Sequence, residues 1–152
     1  DYIQLIGSTD FRKAGNRNEE IGQITRGLKL MARELDVPVI ALSQLSRDVE
    51  KRPDKRPMMS DLRDSGAIEQ DADLILMAYR DEYYNPAGPF KGLAEVLIRK
   101  HRQGELGDVH LVFQGEFARF RDADPGAFAD AQRAAQEAAF RAKPMRRRGL
   151  DD

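Results

Sequence analysis

Two apolar runs that each end in polar residues constrain the fold most strongly. Residues 39–42 are apolar and lead into Ser43 and Gln44, and the apolar run at residues 73–79 leads into Arg80. A short, continuously apolar run is typical of a strand buried on both faces of a parallel sheet. Ligands of open α/β sheets bind beyond the carboxyl ends of such strands. The pattern therefore predicts an α/β fold with a site for a highly charged ligand.

The remaining elements follow from periodicity and turn residues. Ile21, Ile24 and Leu28 recur at helical spacing, and turn residues separate the later apolar runs. The predicted elements are a helix at 19–35, a helical turn at 60–67 capped by Ser60, strands at 2–6, 93–100, 107–114 and 117–121, and an Ala-rich helix at 128–142. This order predicts a sheet flanked by helices with a C-terminal antiparallel extension.

Composition narrows the classes of function. The chain has 152 residues, a net charge of −1 and no cysteine. A net charge near zero argues against a bulk basic surface, so any contact with nucleic acid must come from local clusters. The absence of cysteine excludes disulfides and thiol chemistry and fits a reducing cytoplasm. No apolar run approaches the roughly 20 residues of a membrane helix, so no membrane partner is expected.

Five stretches carry a resemblance to a known family. They are DYIQL at the start, ARELDVPVIALSQLSRDVEKR, DKRPMMSDLRDSGAIEQDADLILMAYRDEYY, AEVLIRKHRQGELGDVHLVF and FARF. Together they cover most of residues 1–120, and the chain resembles the C-terminal part of the RecA-like motor domain of replicative DNA helicases of the DnaB family. The family's phosphate loop, G-x-x-x-x-G-K-[ST], does not occur in this sequence.

The resemblance implies a domain organisation and an activity. Residues 1–122 are expected to form the C-terminal part of a RecA-like motor domain, incomplete in this chain, and residues 123–152 a helical or disordered basic tail. The implied activity is that of a hexameric, ATP-dependent helicase that translocates on single-stranded DNA and unwinds duplex at the replication fork. ATP and Mg²⁺ are the implied cofactors. A primase and a helicase loader are the implied partners, besides the other subunits of the homo-hexamer.

Four residues are candidates for the chemistry of ATP hydrolysis. Asp1 matches the acidic end of the Walker B strand, where a carboxylate holds Mg²⁺ through its water shell. Gln44 is implied to contact the γ-phosphate and to report hydrolysis to the DNA site. Lys100 and Arg102 are implied to enter the neighbouring subunit's nucleotide site. The alternatives are an exposed terminal Asp, a strand-end cap and a solvated basic turn.

A second group of candidates concerns the base of the nucleotide. Arg80 ends its strand beside the expected nucleotide pocket, where a guanidinium can stack on an adenine face. Phe120 is a candidate to cover the other face, with core packing as an equally good interpretation. Asp71 and Asp73 resemble a metal pair, but they flank a strand start, where capping and solvation are the simpler interpretation.

Candidates for DNA contacts lie in two loops. Arg63, Asp64 and Gly66 are implied to face the central channel of the ring and to follow the phosphates of single-stranded DNA. Gly66 would let backbone N–H groups approach a phosphate closely. Arg12 and Lys13 form a second, weaker candidate contact. The alternative for the first loop is a helix-capping turn with an exposed ion pair.

A different class of function also stays open. Because the sequence lacks a phosphate loop, the chain by itself is expected to be inactive in ATP hydrolysis. It is then a non-catalytic DNA-binding or interaction fragment of a truncated or split helicase gene.

The family resemblance predicts instability of the isolated chain. The phosphate-loop strand of the family lies between the strands that end at Ser43 and Tyr79, so this chain alone would leave two sheet edges unpaired. Unpaired edges promote aggregation. We therefore expect a broad thermal transition with self-association, measured by circular dichroism and sedimentation. A sharp, cooperative melt of monomeric protein would contradict this expectation.

Overall fold

A computed structural model describes residues 2–6, 17–62 and 66–142 of the chain. The helices are α1 (Arg17–Leu35), α2 (Gly66–Asp71) and α3 (Ala127–Ala142). The strands are β1 (Leu74–Tyr79), β2 (Leu93–His101), β3 (Gly107–Gln114) and β4 (Arg119–Asp122). Short 3-10 turns lie at Ile3–Leu5, Arg47–Lys51, Met59–Asp61, Asp81–Tyr83 and Gly115–Phe117.

The four strands form one sheet in the order β1-β2-β3-β4. The β3–β4 pair is antiparallel, from Leu111 opposite Asp122 to Gln114 opposite Arg119. The end of β2 lies beside the start of β1, because the N–H of Arg102 donates to the carbonyl of Asp73 over 2.9 Å. Neighbouring strands with opposite directions need only short connections. The predicted antiparallel extension is therefore confirmed.

Gly104 lies in the turn between β2 and β3, under the side chain of His101. The imidazole of His101 covers Gly104, and an ideal Cβ on that glycine would overlap the ring atoms of His101. No side chain fits in that space unless the ring moves. The turn residues expected between these two strands do form a turn here.

The chain divides into two compact units. Unit 1 comprises Asp1–Tyr79 and Val96–Val109, and unit 2 comprises Arg80–Glu95 and His110–Asp152. In unit 1, α1 supplies Ile21 and β2 supplies Leu97, both of which are 0% exposed. The other buried residues of this core are Ile3, Ile24, Leu62, Ile68, Ile75 and Met77. The apolar face of α1 therefore determines much of the packing of unit 1.

Unit 2 has its own smaller core. Leu93 of β2 is buried together with Phe128 and Ala131 of α3. The Phe128 ring stacks on the His110 imidazole, with ring centroids 3.6 Å apart and planes 4° apart. Phe90 packs against the same phenylalanine, with centroids 5.2 Å apart. The amino-terminal part of α3 is thus a core element of unit 2.

A buried ion pair fixes the loop between Leu45 and Leu62. The Asp61 side chain is 5% exposed, and Arg52 donates to both of its oxygens over 2.8 Å. The same guanidinium donates to the carbonyl of Arg56. Asp61 Oδ2 also accepts the N–H of Met58 over 2.9 Å. The two parallel N–H···O bonds from the guanidinium to the carboxylate fix the geometry of this pair, in addition to the attraction between its charges.

Residues 39–42 do not form the predicted strand. Ile40 is 91% exposed, and the backbone of this segment pairs with residues 2–6 only through the N–H of Ile3 and the carbonyl of Leu42. A central strand needs a hydrogen-bonded neighbour on each side, and the described residues supply one short contact. Residues 2–6 likewise contain a 3-10 turn instead of a strand.

Two further local predictions are wrong. Ser60 does not cap a helix, because it lies inside the 3-10 turn Met59–Asp61 and α2 begins at Gly66. The last strand begins at Arg119 instead of residue 117, because Gly115–Phe117 forms a turn that ends with Ala118 at a φ of 47°. The helices predicted at 19–35 and 128–142 are confirmed with small shifts at their first residues.

None of the helices in the described ranges is long and apolar enough to cross a membrane.

Removal of the buried guanidinium provides a test of the loop anchor. We expect Arg52→Ala to weaken the segment 45–62 by about 3 kcal/mol, because it leaves the buried Asp61 carboxylate unpaired. Amide hydrogen exchange of this segment measures the change. Lys51→Ala is the matched control, since its ion pair with Asp48 is exposed. Equal exchange in the two variants would show that the ion pair does not hold the loop.

Candidate functional site

Lys100 and Arg102 lie together at the carboxyl end of helix α2. Lys100 Nζ donates to the carbonyl of Glu69 and, over 3.4 Å, to that of Gln70. Arg102 Nη2 donates to the same Gln70 carbonyl over 2.6 Å. The last carbonyls of a helix have no partner within the helix and carry a partial negative charge. The two cations therefore stabilise the end of a helix that is only six residues long.

A carboxylate extends this cluster. Arg102 Nη1 lies 3.4 Å from Asp73 Oδ1, and Lys29 of α1 forms an ion pair with Asp73 Oδ2. Lys29 Nζ also donates to the carbonyl of Asp71 over 3.2 Å. We call Lys29, Lys100, Arg102 and Asp73 the cation cluster. It brings one residue of α1 and two of the β2–β3 hairpin to the same end of α2.

The charges of the cluster shift the pKa of Asp73. The hydrogen bond from Lys29 holds the pKa of this carboxyl below its ordinary value of 3.8, against the smaller effect of desolvation. Charge attraction from Lys29, Arg102 and Lys100 acts in the same direction as the hydrogen bond. Asp73 is therefore ionised at neutral pH and available as a partner for two cations.

Gln44 follows residues 39–42 and is held through its backbone. Its N–H donates to Gln4 Oε1 over 3.2 Å, and its carbonyl accepts from Gln4 Nε2 over 3.3 Å. Gln4 Nε2 also donates to Ser43 Oγ over 3.0 Å. No hydrogen bond within the described residues engages the Gln44 side-chain amide. Gln4 thus fixes the position of Gln44 and leaves its amide available.

Arg80 and Phe120 lie in unit 2, both against Phe113. The Arg80 guanidinium lies 3.9 Å from the centroid of the Phe113 ring, and the Phe120 ring lies 5.0 Å from it. Arg80 Nη2 is also 3.8 Å from Glu82 Oε2. The structure therefore brings these two predicted residues together through a phenylalanine that the sequence interpretation did not name. Their predicted contact with adenine stays a prediction.

Five of the predicted site residues lie outside the described ranges. They are Asp1, Arg12, Lys13, Arg63 and Asp64. Gly66 is described as the exposed first residue of α2, and a Cβ there would meet nothing within 4 Å. Packing in the described structure therefore does not require a glycine at this position. No cluster of three or more metal-ligating side chains occurs in the part of the chain that the structure describes.

The comparison with protein families decides the relationship of the chain. The DnaB-like helicase C terminal domain family matches residues 1–122. The chain belongs to this family. The chain is similar to the replicative DNA helicase DnaB of Pasteurella multocida (strain Pm70), to which it is 58% identical over 120 residues. That of Geobacillus stearothermophilus is 55% identical over the same length.

The chain spans about a quarter of the length of these relatives. Each alignment covers 79% of this chain, but 25% of the Pasteurella protein and 26% of the Geobacillus protein. The similarity to the DnaB-like family is therefore close, and it concerns one segment of much longer proteins.

Solved structures of DnaB-like proteins have the same fold. One of them, an ATPase domain, is 54% identical, with a TM-score of 0.75 over 82% of this chain and 43% of that one. A DnaB-like replicative helicase, described with its interactions with primase, gives the same identity and TM-score and is covered to 29%. The predicted RecA-like α/β fold class is thereby confirmed.

The sequence interpretation missed Lys29 and the role of Asp73. It assigned Asp73 to capping or solvation, whereas the structure pairs it with two cations. One signal was present in α1. Thr25 and Lys29 stand four residues apart on a helix, so they share a face. Thr25 Oγ1 donates to Asp71 Oδ2 over 2.5 Å, and this polar stripe within an amphipathic helix indicated a polar partner.

The low pKa of Asp73 predicts a pH dependence of stability. A carboxyl whose pKa is lower in the folded state contributes stability that is complete above the unfolded value and is lost as pH falls through the folded one. We therefore expect the stability difference between the wild type and Asp73→Asn to shrink as pH falls from about 5 to about 3. Denaturant titrations measure it, with Asp124→Asn as control. A difference that is independent of pH would contradict the assignment.

Proposed function

We propose that this chain is part of the motor domain of a replicative DNA helicase that hydrolyses ATP, translocates on single-stranded DNA and unwinds duplex at the replication fork. The proposal rests on membership of the DnaB-like family and on identities of 55–58% to proteins named as replicative helicases. The cation cluster is the observation in the structure that supports it most directly.

The geometry of Arg102 suits a role toward a neighbouring subunit. The guanidinium uses Nη2 for the Gln70 carbonyl and Nη1 for Asp73, while its side chain stays 49% exposed. Arginine has five N–H donors, so donors remain for a phosphate. An arginine supplied from outside a nucleotide site stabilises the charge that develops on the transferring phosphoryl group. Lys100, two residues earlier on β2, adds a second positive charge at the same place.

The residues present fit part of a nucleotide site. Lys100 and Arg102 are the donors that would face the phosphates of ATP bound by a neighbour, and Gln44 has an amide that no described residue engages, on a backbone held by Gln4. Mg²⁺ bound with ATP would neutralise charge on the phosphates. Asp1 is the proposed ligand of that ion, and Arg80 with Phe120 the proposed contact of the adenine. The residues of the protein would bind the phosphates, orient them and exclude water from them.

The proposed assembly is a homo-hexameric ring in the cytoplasm with single-stranded DNA in its channel. Arg63, Asp64 and Gly66 are the proposed main contacts to the DNA phosphates, with Arg12 and Lys13 as further contacts. Such binding is largely independent of sequence and weakens with salt. A structure of a DnaB-like helicase was described with its interactions with primase. We propose a primase as a partner on that basis and a helicase loader on family resemblance.

The role of Arg102 is tested in a full-length helicase that carries this segment. We expect Arg102→Ala to lower the turnover number for ATP about 10³-fold, because the charge on the transferring phosphoryl group loses its partner. The affinity for ATP should change little, since the other subunit holds the nucleotide. Steady-state hydrolysis and equilibrium binding of a fluorescent nucleotide measure the two quantities.

The matched control is Arg133→Ala, which removes an exposed arginine paired with Asp130 on α3. This variant should hydrolyse ATP at the wild-type rate. Wild-type turnover in the Arg102 variant would refute the proposed role toward the neighbouring subunit.

A further inference from the structure

We propose that Asp73 is a positioning residue for Arg102 and fixes its guanidinium in the orientation in which it enters the neighbouring subunit's nucleotide site. The inference rests on the proposed function and deepens it, because it names a residue that acts on the phosphate-binding arginine without touching the phosphate.

Three contacts hold Arg102 against Asp73 and the carboxyl end of α2. Its backbone N–H donates to the carbonyl of Asp73 over 2.9 Å, which fixes the start of its side chain. Its Nη1 lies 3.4 Å from the Asp73 carboxylate, and its Nη2 donates to the Gln70 carbonyl over 2.6 Å. The hydrogen bond at Nη2 and the ion-pair contact at Nη1 act on two different nitrogens of a rigid, planar group, so together they restrict its orientation. The guanidinium is therefore oriented before any phosphate arrives.

Asp73 is itself held in place. Lys29 binds its second oxygen, so that the carboxylate lies between a lysine of α1 and the arginine. Asp73 also directly precedes β1, whose Ile75 and Met77 are buried in the core of unit 1. A carboxylate fixed by a strand and by a second cation can hold the orientation of an arginine.

The exposure of the ion pair between Asp73 and Arg102 indicates that its main effect is on the orientation of Arg102 and not on the stability of the fold. The side chain of Asp73 is 63% exposed and that of Arg102 is 49% exposed. Ion pairs at such exposure make only a small contribution to folding, which the pH dependence of stability described above would measure. Orientation has a larger effect on rate, because a misplacement of about 1 Å at a reacting centre can cost about 100-fold. Within the cation cluster, the three cations Lys29, Lys100 and Arg102 outnumber the single carboxylate of Asp73.

The test uses Asp73→Asn in a full-length helicase that carries this segment. We expect the turnover number for ATP to fall about 10-fold, while the affinity for ADP stays the same, because the orientation of Arg102 matters only when charge develops on the phosphoryl group. The affinity for ADP with aluminium fluoride, which mimics that charge, should fall in parallel. Asp48→Asn is the matched control, since it removes an exposed carboxylate paired with a lysine in the same unit.

A double-mutant cycle separates positioning from a general structural effect. With Arg102→Ala already present, Asp73→Asn should cause no further loss of affinity for ADP with aluminium fluoride. An equal loss with and without Arg102 would overturn the proposal, and so would wild-type turnover in Asp73→Asn. A failure of the proposed function itself would give a different result, namely wild-type turnover of ATP in the Arg102→Ala single variant.

Discussion

The end of helix α2 depends on cations that come from elsewhere in the chain. A helix of six residues has too few internal hydrogen bonds to be stable alone, and most of its carbonyls have no partner within it. Lys100 and Arg102 supply the missing donors from the β2–β3 hairpin, more than 30 residues later. Lys29 adds a third donor from α1 through the carbonyl of Asp71. The hairpin, α1 and α2 therefore meet at one point.

This arrangement links packing in unit 1 to the chemistry proposed for it. Arg102 holds α2 with one part of its guanidinium and keeps further donors toward solvent. A phosphate that approached the open side would meet a group whose direction is already fixed, so that little entropy is lost on contact. The same residues also connect that phosphate to α2, because any movement of Arg102 changes the hydrogen bonds of the Gln70 carbonyl. The cation cluster is thus a structural joint and a candidate contact to the nucleotide.

The sequence predicted well those features that depend on near neighbours. The strands β2 and β3 and the helices α1 and α3 follow from periodicity and turn residues within each segment. Residues 39–42 have the same apolar signal, but the structure shows no strand there, because a strand exists only beside another strand. The capping role given to Ser60 failed for a similar reason, since the Asp61 carboxylate and Arg52 organise that loop. The pair of Lys29 and Asp73 spans 44 positions, and the polar stripe of Thr25 and Lys29 on α1 indicates a polar partner without identifying it.

The packing of Phe128 between His110 and Phe90 bears on where the protein can be shortened. Similarity to the DnaB-like family ends at residue 122, which makes that position an obvious place to stop a recombinant version. Two of the three buried residues in the core of unit 2, Phe128 and Ala131, come after it. A version that ended at residue 122 would expose Leu93 and the imidazole face of His110 to water. Any version of this chain that is to keep the core of unit 2 therefore has to include helix α3.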